Sequence, residues 1–223
     1  MMHISEIEAA KCRAGLSQEV HHNNVGIIII GVNEWERYTL PMLDSIRSND
    51  TGLDIILVDN GSAPAYPEST IRLDKTVSYA EALNTGLLAA GQRDWYIVSN
   101  NDVLINKAIS PRVVDLRQGL LYGFWTHDFA GRPYLSGWCL MISKYVLRTV
   151  GYFDAELKPM WFEDADYSIR ADAAGVLLCQ LDRDDWGVKH LEDERMPERK
   201  SYIHENIVAR KRNRDYVRGK HGL

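Results

Sequence analysis

Three short apolar segments, each ending in a polar turn, most constrain the fold that this chain can adopt. They cover residues 25–30, 53–58 and 95–98. The first segment is continuously apolar, which is typical of a strand covered on both faces, as in a parallel sheet. Apolar residues at helical spacing occupy residues 37–49 and 78–90 between these segments. Strands that alternate with helices of about 10 to 15 residues indicate βαβ units and a parallel sheet.

The second half of the chain continues this pattern less regularly. It predicts strands at 119–125, 136–142, 176–181 and 188–190, helices at 144–150, 161–174 and 201–218, and loops at 126–133 and 182–185. No internal repeat and no linker divides the sequence. We therefore predict an α/β fold: one domain at residues 25–223, with a mostly parallel central sheet flanked by helices and a C-terminal helix. Residues 1–24 are predicted to form an N-terminal extension with a short helix around residues 4–14.

The composition is that of an ordinary globular protein, and it disfavours several other classes. The chain has 223 residues, enough for one full core. No apolar run approaches the roughly 18 to 20 residues of a membrane-spanning helix, and the N-terminus has no apolar signal region. Because Cys12, Cys139 and Cys179 lie far apart, we expect reduced thiols rather than disulfides or a zinc site. We expect a cytoplasmic protein, and peripheral association with a membrane is left open.

Charge is distributed unevenly, although a net charge of −5 gives no reason to expect nucleic-acid binding. Residues 154–194 carry twelve acidic and four basic side chains, whereas residues 195–223 carry nine basic and three acidic ones. A basic C-terminal helix suits contact with phosphates or with a membrane surface. Most charge runs, however, are solvated helix faces, and this second interpretation is favoured.

The polar turn after the third apolar segment is the first candidate site. Residues 96–98 predict a buried strand that ends in Ser99-Asn100-Asn101-Asp102. In open α/β sheets, ligands bind at the carboxyl ends of the strands. A carboxylate beside two amides suits Mg²⁺ or Mn²⁺ that carries a diphosphate. The alternative is an ordinary turn rich in Asn and Asp, without a ligand.

A second acid-bearing turn, Asp59-Asn60-Gly61-Ser62, follows the second apolar segment. Both turns should lie at the same edge of a doubly wound sheet, so that Asp59 and Asp102 share one ligand. Asp59 suits a base N–H or a ribose hydroxyl, whereas Asp102 suits a cation on the diphosphate. The chain has neither a G-x-G-x-x-G after its first strand nor a G-x-x-x-x-G-K-[ST], which argues against dinucleotide oxidoreductases and P-loop NTPases.

The third candidate site is the acidic segment WFEDAD at residues 161–166. Acids at a helix start are often caps that stabilise the helix dipole. One that faces a cleft beside aromatic side chains can instead act as a general base with a raised pKa. On a helix, Glu163 and Asp166 share a face and Asp164 points elsewhere. His190 is a lone histidine, a type that is more often structural, but it could complete the coordination of a metal at Asp102.

Six segments in this order resemble the family 2 glycosyltransferases, especially the small rhamnosyltransferase-like members with a GT-A fold. They are Val32-Asn33-Glu34 after the first strand, LDIILVDNGS at 53–62, ALNTG at 82–86, WYIVSNNDV at 95–103, SGWCLMISKYVLRTVGYFDAEL at 136–157 and WFEDADYSIRADAAG at 161–175. NRDYVRGKHG at 213–222 is similar to the helix that closes such domains. The resemblance covers roughly residues 25–222, nearly all of the chain.

The resemblance implies roles for the residues at matching positions. Asp59 resembles the aspartate that recognises the base of the nucleotide. Asp102 resembles the last acid of the metal-binding motif, and Asn100 stands here in place of the first acid of that motif. Asp164, with Glu163, resembles the catalytic base, and His190 resembles a histidine near the metal and the diphosphate. The resemblance also implies donor-nucleotide contacts at Val32, Asn33, Glu34, Asn84, Asn100 and Asn101, and an acceptor side lined by Gly137, Trp138 and Trp161.

The activity that the resemblance implies is that of an inverting glycosyltransferase dependent on Mn²⁺ or Mg²⁺. Its donor would be a nucleoside-diphosphate sugar carried by UDP or dTDP. Its acceptor would be a glycan, a lipid-linked or another hydroxyl compound, and a modified nucleic-acid base is left open. One alternative is a sugar nucleotidyltransferase, disfavoured because residues 31–37 are not glycine-rich. The other is a non-catalytic module that binds a sugar nucleotide or a protein, which the missing first acid favours and the pair Glu163-Asp164 disfavours.

Overall fold

The computed structural model describes residues 24–191 and 206–223 of the chain. The predicted helix at residues 4–14, Cys12 and the first part of the predicted helix at 201–218 lie outside the described residues. Cys139 is a buried free thiol. Within the two described ranges, no helix combines the length and the hydrophobicity that crossing a bilayer requires.

Strands make up the central layer of the described part. They are β1 (Val25–Gly31), β2 (Asp54–Asp59), β3 (Ile71–Arg72), β4 (Trp95–Asn100), β5 (Val103–Ile105), β6 (Leu120–Gly123), β7 (Thr126–Phe129), β8 (Arg132–Leu135), β9 (Cys139–Ser143), β10 (Leu177–Gln180) and β11 (Val188–His190). Seven of them form one sheet in the order β10-β6-β9-β4-β1-β2-β3, while β5 pairs with β11 and β7 pairs with β8.

The main sheet is mostly parallel, as the sequence predicts. β1 pairs in parallel with β2 and β4, as do β2 with β3 and β6 with β10. β9 runs antiparallel to both of its neighbours, β4 and β6. Since β4 and β6 are both antiparallel to β9, they are parallel to each other. The strands β1, β2, β4, β6 and β10 therefore all point the same way. Their carboxyl ends therefore meet at one edge of the sheet, which is where ligands bind in such folds.

Helices cover both faces of this sheet. They are α1 (Leu40–Asn49), α2 (Tyr79–Ala90), α3 (Ser110–Val113), α4 (Lys144–Val150), α5 (Glu163–Ala173), α6 (Arg183–Trp186) and α7 (Ile207–His221), and a π-helical turn over Trp35–Thr39 precedes α1. Because successive side chains of a strand point to opposite faces, Ile27 and Ile29 pack with Leu43 of α1, whereas Ile28 packs with Leu83 of α2. This two-sided burial explains why β1 is apolar throughout.

Local sequence signals set the helix ends. Ser78 caps α2 by accepting a hydrogen bond from the Glu81 N–H (3.2 Å), and Ser143 caps α4 through the Val146 N–H (3.1 Å). Gly91 and Gly151 end the same two helices with φ angles of 66° and 83°, which glycine adopts without steric cost. The helix predicted at 144–150 has the bounds of α4.

Two segments predicted as loops contain regular structure. Residues 126–133 lie in the β7–β8 hairpin, whose turn places Ala130 and Gly131 at φ angles of 53° and 82°, the conformation that tight hairpins require. The prediction is wrong here because Ala-Gly is a weaker turn signal than Asn-Gly. Residues 182–185 include α6, which Asp182 caps by accepting from the Asp185 N–H (2.8 Å).

The C-terminal helix α7 is held by two acidic residues rather than lying free in solvent. Lys220 Nζ lies 2.7 Å from Asp154 Oδ2 and 2.7 Å from Asp166 Oδ1. His221 Nε2 lies 2.8 Å from the same Asp166 oxygen, and Asp166 is fully buried. The expectation of a solvated basic face is therefore wrong for this end of α7.

Candidate active site

The turn after β2 is held by the Asp59 carboxylate, which is fully buried. Its oxygens accept hydrogen bonds from the backbone N–H groups of Ser62 (2.8 Å) and Tyr66 (3.1 Å), and Arg72 also contacts it. Burial alone would raise the pKa of Asp59, but these hydrogen bonds and the Arg72 charge lower it. Asp59 therefore orders the turn at the sheet edge, and its reading of a base stays a prediction.

The turn after β1 binds directly to the turn after β2. Asn33 donates its N–H to Ser62 Oγ (2.8 Å) and accepts the Tyr66 hydroxyl at its carbonyl oxygen (2.7 Å). Asn33 and Glu34 both lie in the left-handed region, at φ 54° and 53°. Two such residues in succession are costly and are typical of ligand-binding sites. Val32, Asn33 and Glu34 are exposed, so the predicted donor side forms an ordered ledge open to solvent.

The amides of the predicted donor side are engaged in different ways. Asn100 Oδ1 accepts the Tyr79 hydroxyl (2.5 Å), and Asn101 Nδ2 donates to Thr39 Oγ1 (2.9 Å). Asn84 lies in α2, and its amide bonds both the carbonyl oxygen (2.8 Å) and the N–H (2.9 Å) of Phe153. Asn84 thus joins α2 to the loop after α4, and its predicted contact with the donor stays a prediction.

Asp102 and His190 meet at the carboxyl end of β4. Because β5 and β11 pair antiparallel with His190 opposite Val103, the imidazole is brought beside the preceding Asp102. His190 Nε2 lies 3.3 Å from Asp102 Oδ1, and both residues are buried. The His190 ring stacks on Trp138, with centroids 4.8 Å apart and planes inclined by 6°. The structure brings these two predicted ligands together and fixes the imidazole against an aromatic plane.

This pair fits two positions in the coordination shell of a divalent cation. Two ligands at right angles, each about 2.1 Å from a cation, lie about 3 Å apart, close to the observed 3.3 Å. Among residues 24–191 and 206–223, no three His, Cys, Asp or Glu side chains cluster as a complete metal site. Asp102 and His190 would therefore hold the cation only together with water and substrate oxygens, as is usual for cations shared with phosphates.

Glu163 and Asp164 are the first two residues of helix α5. Asp164 Oδ2 accepts the Gly137 N–H (2.9 Å), and Oδ1 accepts the N–H of Ala165 (2.8 Å). Glu163 is 8% exposed and Asp164 is partly exposed. Burial and the neighbouring Asp164 charge raise the pKa of Glu163 to about 8, and burial raises the pKa of Asp164. Asp164 is thus a positioned carboxylate of raised basicity, as a general base requires.

The loop before these acids is strained and is held by the C-terminal helix. Trp161 and Phe162 have φ angles of 80° and 70°, a conformation that aromatic residues rarely adopt. Asn213 of α7 is buried and donates its amide to the carbonyl oxygens of Met160 (2.9 Å) and Trp161 (3.4 Å). Helix α7 therefore supports the backbone from which Glu163 projects.

Tyr79 is a site residue that the sequence analysis missed. Burial, together with the charges of Glu163, Asp102 and Asp164, raises the pKa of Tyr79 well above its usual value. The charges of all three carboxylates therefore act on this phenol, which stays protonated. Its only sequence signal is a tyrosine at the first position of α2, next to the Ser78 cap, which does not distinguish it from a structural residue.

The residues predicted to line the acceptor side are Gly137, Trp138 and Trp161. The N–H of Gly137 binds Asp164, and Trp138 supports His190 through ring stacking. The backbone of Trp161 lies two residues before Glu163. These links connect the three residues to the acids or to His190. Their contact with an acceptor stays a prediction.

No protein-family model and no curated protein sequence matches this chain. Its structure is similar to the mannosyltransferase PcManGT from Pyrobaculum calidifontis in complex with GDP-Man and Mn²⁺, with a TM-score of 0.56 and 14% identity over 80% of this chain. It is also similar to GalNAc-T7 with UDP, GalNAc and Mn²⁺ (TM-score 0.56, 11% identity, 69% of this chain). S. aureus TarS gives a TM-score of 0.53 at 16% identity over 71% of this chain.

The chain spans only part of these proteins: 60% of the PcManGT chain, 41% of GalNAc-T7 and 35% of TarS. At such low identities the likeness concerns the fold, and the narrower resemblance to rhamnosyltransferase-like members stays a prediction. The arrangement of a mainly parallel sheet, flanking helices and a closing C-terminal helix is common to them. The chain therefore has the GT-A fold of glycosyltransferases, as its sequence predicts.

Proposed function

We propose that this protein is an inverting glycosyltransferase that moves a sugar from a nucleoside-diphosphate donor to an acceptor hydroxyl. One observation carries the proposal: His190 lies 3.3 Å from Asp102 at the carboxyl edge of the sheet, and the charges of Asp102, Glu163 and Asp164 all act on the Tyr79 phenol. The first pair suits a cation bound to a diphosphate. The second supplies a carboxylate of raised pKa for the acceptor proton.

The proposed reaction is a single displacement. Asp164 accepts the proton of the acceptor hydroxyl while that oxygen attacks the anomeric carbon of the donor sugar. The new carbon–oxygen bond forms as the bond to the diphosphate breaks on the opposite face, so the configuration inverts and no covalent enzyme intermediate arises. The Gly137 N–H fixes Asp164 Oδ2, which keeps the base in one orientation during the transfer.

Donor binding is proposed for the ledge formed by the turns after β1 and β2, with Val32, Asn33, Glu34 and Asp59 on the base side. A bound Mn²⁺ or Mg²⁺ would supply charge stabilisation to the departing diphosphate. The PcManGT structure holds GDP-Man and Mn²⁺, and the GalNAc-T7 structure holds UDP and Mn²⁺. These ligands support a nucleotide donor and a divalent cation, and we propose UDP or dTDP as the carrier.

The Asp102→Ala variant is expected to lose metal-dependent donor binding. Removing the carboxylate takes away the hard oxygen ligand of the proposed site, so Mn²⁺ should no longer strengthen the binding of a nucleoside diphosphate. Titration calorimetry with and without Mn²⁺ measures this. Asp115→Ala, which removes an exposed carboxylate before β6, is the matched control. Equal Mn²⁺ dependence in the wild type and in Asp102→Ala would contradict the assignment.

The Gly137→Ala variant is expected to reduce turnover about 100-fold, because misplacing a catalytic group by about 1 Å can have this effect. An added Cβ would lie 2.9 Å from Asp164 Cβ, so the carboxylate must shift. In Gly119→Ala the new methyl group meets no atom within 4 Å, which makes it the control. Steady-state rates and unfolding midpoints are compared, and an unchanged rate in Gly137→Ala would contradict the role of this contact.

Two alternatives are tested by two release assays: nucleoside diphosphate from sugar nucleotides, and pyrophosphate from a nucleoside triphosphate supplied with a sugar phosphate. A panel of sugar nucleotides is incubated with Mn²⁺ and hydroxyl acceptors, and the anomeric configuration of any product is read by NMR. An inverted glycoside is the expected product. Binding without any release would favour a non-catalytic module, as the replacement of an acid by Asn100 suggests. Release of pyrophosphate from a nucleoside triphosphate would favour a nucleotidyltransferase.

We further propose a cytoplasmic protein with a glycan, lipid-linked or other hydroxyl acceptor.

A further inference from the structure

An exposed tryptophan lies beside the proposed active site without a role in the reaction described above. Phe124 and Trp125 follow β6 directly. Phe124 is buried and stacks on Trp138, with centroids 5.6 Å apart. Trp125, the next residue, is 45% exposed. An indole with this much exposure next to a binding cleft is a candidate for contact with a ligand.

Trp125 lines a groove of about 190 Å³ at the carboxyl ends of β6 and β10. The groove is also lined by Gln180, Asp182, Arg183 and Asp184. The Arg183 guanidinium lies over the Trp125 ring at 4.9 Å and holds the indole in place. The groove thus presents one aromatic surface surrounded by an amide, two carboxylates and a guanidinium. It lies at the same edge of the sheet as Asp102, because β4, β6 and β10 run in one direction.

The backbone connects this groove to the proposed base. The Ser136 N–H donates to the Trp125 carbonyl oxygen (2.8 Å), and the next N–H along the chain, that of Gly137, donates to Asp164 Oδ2 (2.9 Å). Aromatic rings make a second connection: Trp125 lies 6.4 Å from His127, and His127 stacks on Tyr134 at 5.3 Å. The Asp164 charge acts on Tyr134. One backbone segment, residues 136–137, therefore contacts both Trp125 in the groove and the proposed base Asp164.

We propose that this groove binds one sugar ring of the acceptor, so that the acceptor is a glycan with at least one residue beyond the sugar that is extended. The proposal rests on the proposed function and names its acceptor class. The groove volume of about 190 Å³ is smaller than that of sites for drug-sized ligands, which begin at about 300 Å³. This smaller volume suits a single sugar ring. The C–H face of a pyranose packs on an aromatic plane, and amide, carboxylate and guanidinium groups bind its hydroxyls.

The charges of the groove disfavour the other acceptor classes. Among the described residues that line the groove, Asp182 and Asp184 flank Arg183, so these side chains offer no net positive charge to the phosphates of a nucleic acid. The two carboxylates suit a neutral polyhydroxyl compound, since each accepts hydrogen bonds from hydroxyl groups. A neutral glycan therefore fits the groove better than a polyanion does.

The test is NMR of the full-length protein titrated with a panel of neutral disaccharides of glucose, galactose, mannose and N-acetylglucosamine at millimolar concentration. The chain has six tryptophans, and the indole N–H signal that disappears in Trp125→Phe identifies Trp125. At least one disaccharide is expected to shift this signal in a saturable manner. In Trp125→Ala the dissociation constant, followed by saturation transfer to the sugar, should rise about tenfold, and Trp125→Phe should retain part of the affinity.

The matched control is Tyr145→Ala, which removes an exposed aromatic side chain (53% exposed) at the opposite edge of the sheet and should leave sugar binding unchanged. The absence of a Trp125 shift with every disaccharide would overturn the proposal, as would a shift caused only by nucleosides or peptides. Equal sugar affinity in wild type and Trp125→Ala would also overturn it. Nucleoside-diphosphate binding with Mn²⁺ is measured on the same samples, so a failed sugar subsite is distinguished from a failed transferase assignment.

Discussion

The Asp164→Asn variant is expected to bind the donor like the wild type and to turn over about 10² to 10⁴ times more slowly, the effect of removing a positioned general base. The substitution preserves the size of the side chain and an oxygen that can accept the Gly137 N–H. It removes the ability to accept a proton and replaces the oxygen that accepts the Ala165 N–H by an amide group. Calorimetry with a nucleoside diphosphate and Mn²⁺, together with steady-state rates, separates donor binding from turnover.

The control for this variant is Asp172→Asn, which changes an exposed carboxylate on the same helix. The wild type should also lose activity on acidification at a higher pH than an ordinary aspartate would allow. The reason is that burial raises the pKa of Asp164, so the carboxylate takes up a proton earlier as the pH falls. Unaltered turnover in Asp164→Asn would contradict its assignment as the base.

The Asp166→Ala variant is expected to lower the free energy of unfolding by about 3 kcal/mol, the effect of breaking a buried ion pair by removing one partner. Asp166 is fully buried and contacts Arg170 (2.8 Å), Lys220 (2.7 Å) and His221 (2.8 Å). Its loss would leave these three side chains without their shared carboxylate and would loosen α7. For a chain of this size the unfolding midpoint should fall by about 6 to 12 °C.

The pH dependence of this variant gives a second check. Burial acts to raise the pKa of Asp166, but the contacts with Lys220, Arg170 and His221 lower it. A lowered folded-state pKa stabilises the protein above the unfolded value of about 4, and the stabilisation is lost as the pH falls through the folded-state pKa. The difference between wild type and Asp166→Ala should therefore shrink in acid. Asp172→Ala, on the same helix, should change stability little, and a comparable loss there would contradict the account.

The features of the fold and of the site that the sequence predicts are those that follow regular residue patterns. The continuously apolar β1 and the acid-bearing ends of β2 and β4 predict a parallel sheet and a site at its carboxyl edge. The WFEDAD segment also carries information, because helical spacing separates Asp164 from Glu163 and Asp166. In the structure, Asp164 meets Gly137 while Asp166 binds α7.

The parts that sequence could not predict depend on contacts between distant segments. Asn213 supports the strained Trp161 backbone across 52 residues of chain, and nothing in the sequence around either residue indicates this. Tyr79 enters the site because α2 begins near the three acids. The groove at Trp125 arises only when the ends of β6 and β10 are brought side by side. Such positions follow from packing, which local propensity does not encode.

Metal-dependent donor binding is tested most directly by the thermal unfolding of the wild type with a panel of nucleoside diphosphates and their sugars, each with and without Mn²⁺. A ligand at 100 times its dissociation constant should add about 2.7 kcal/mol to the stability. We expect a clear stabilisation by one nucleotide that requires Mn²⁺ and disappears in Asp102→Ala. Stabilisation by no nucleotide, or equal stabilisation with and without the metal, would contradict a metal-dependent nucleotide-sugar site between Asp102 and His190.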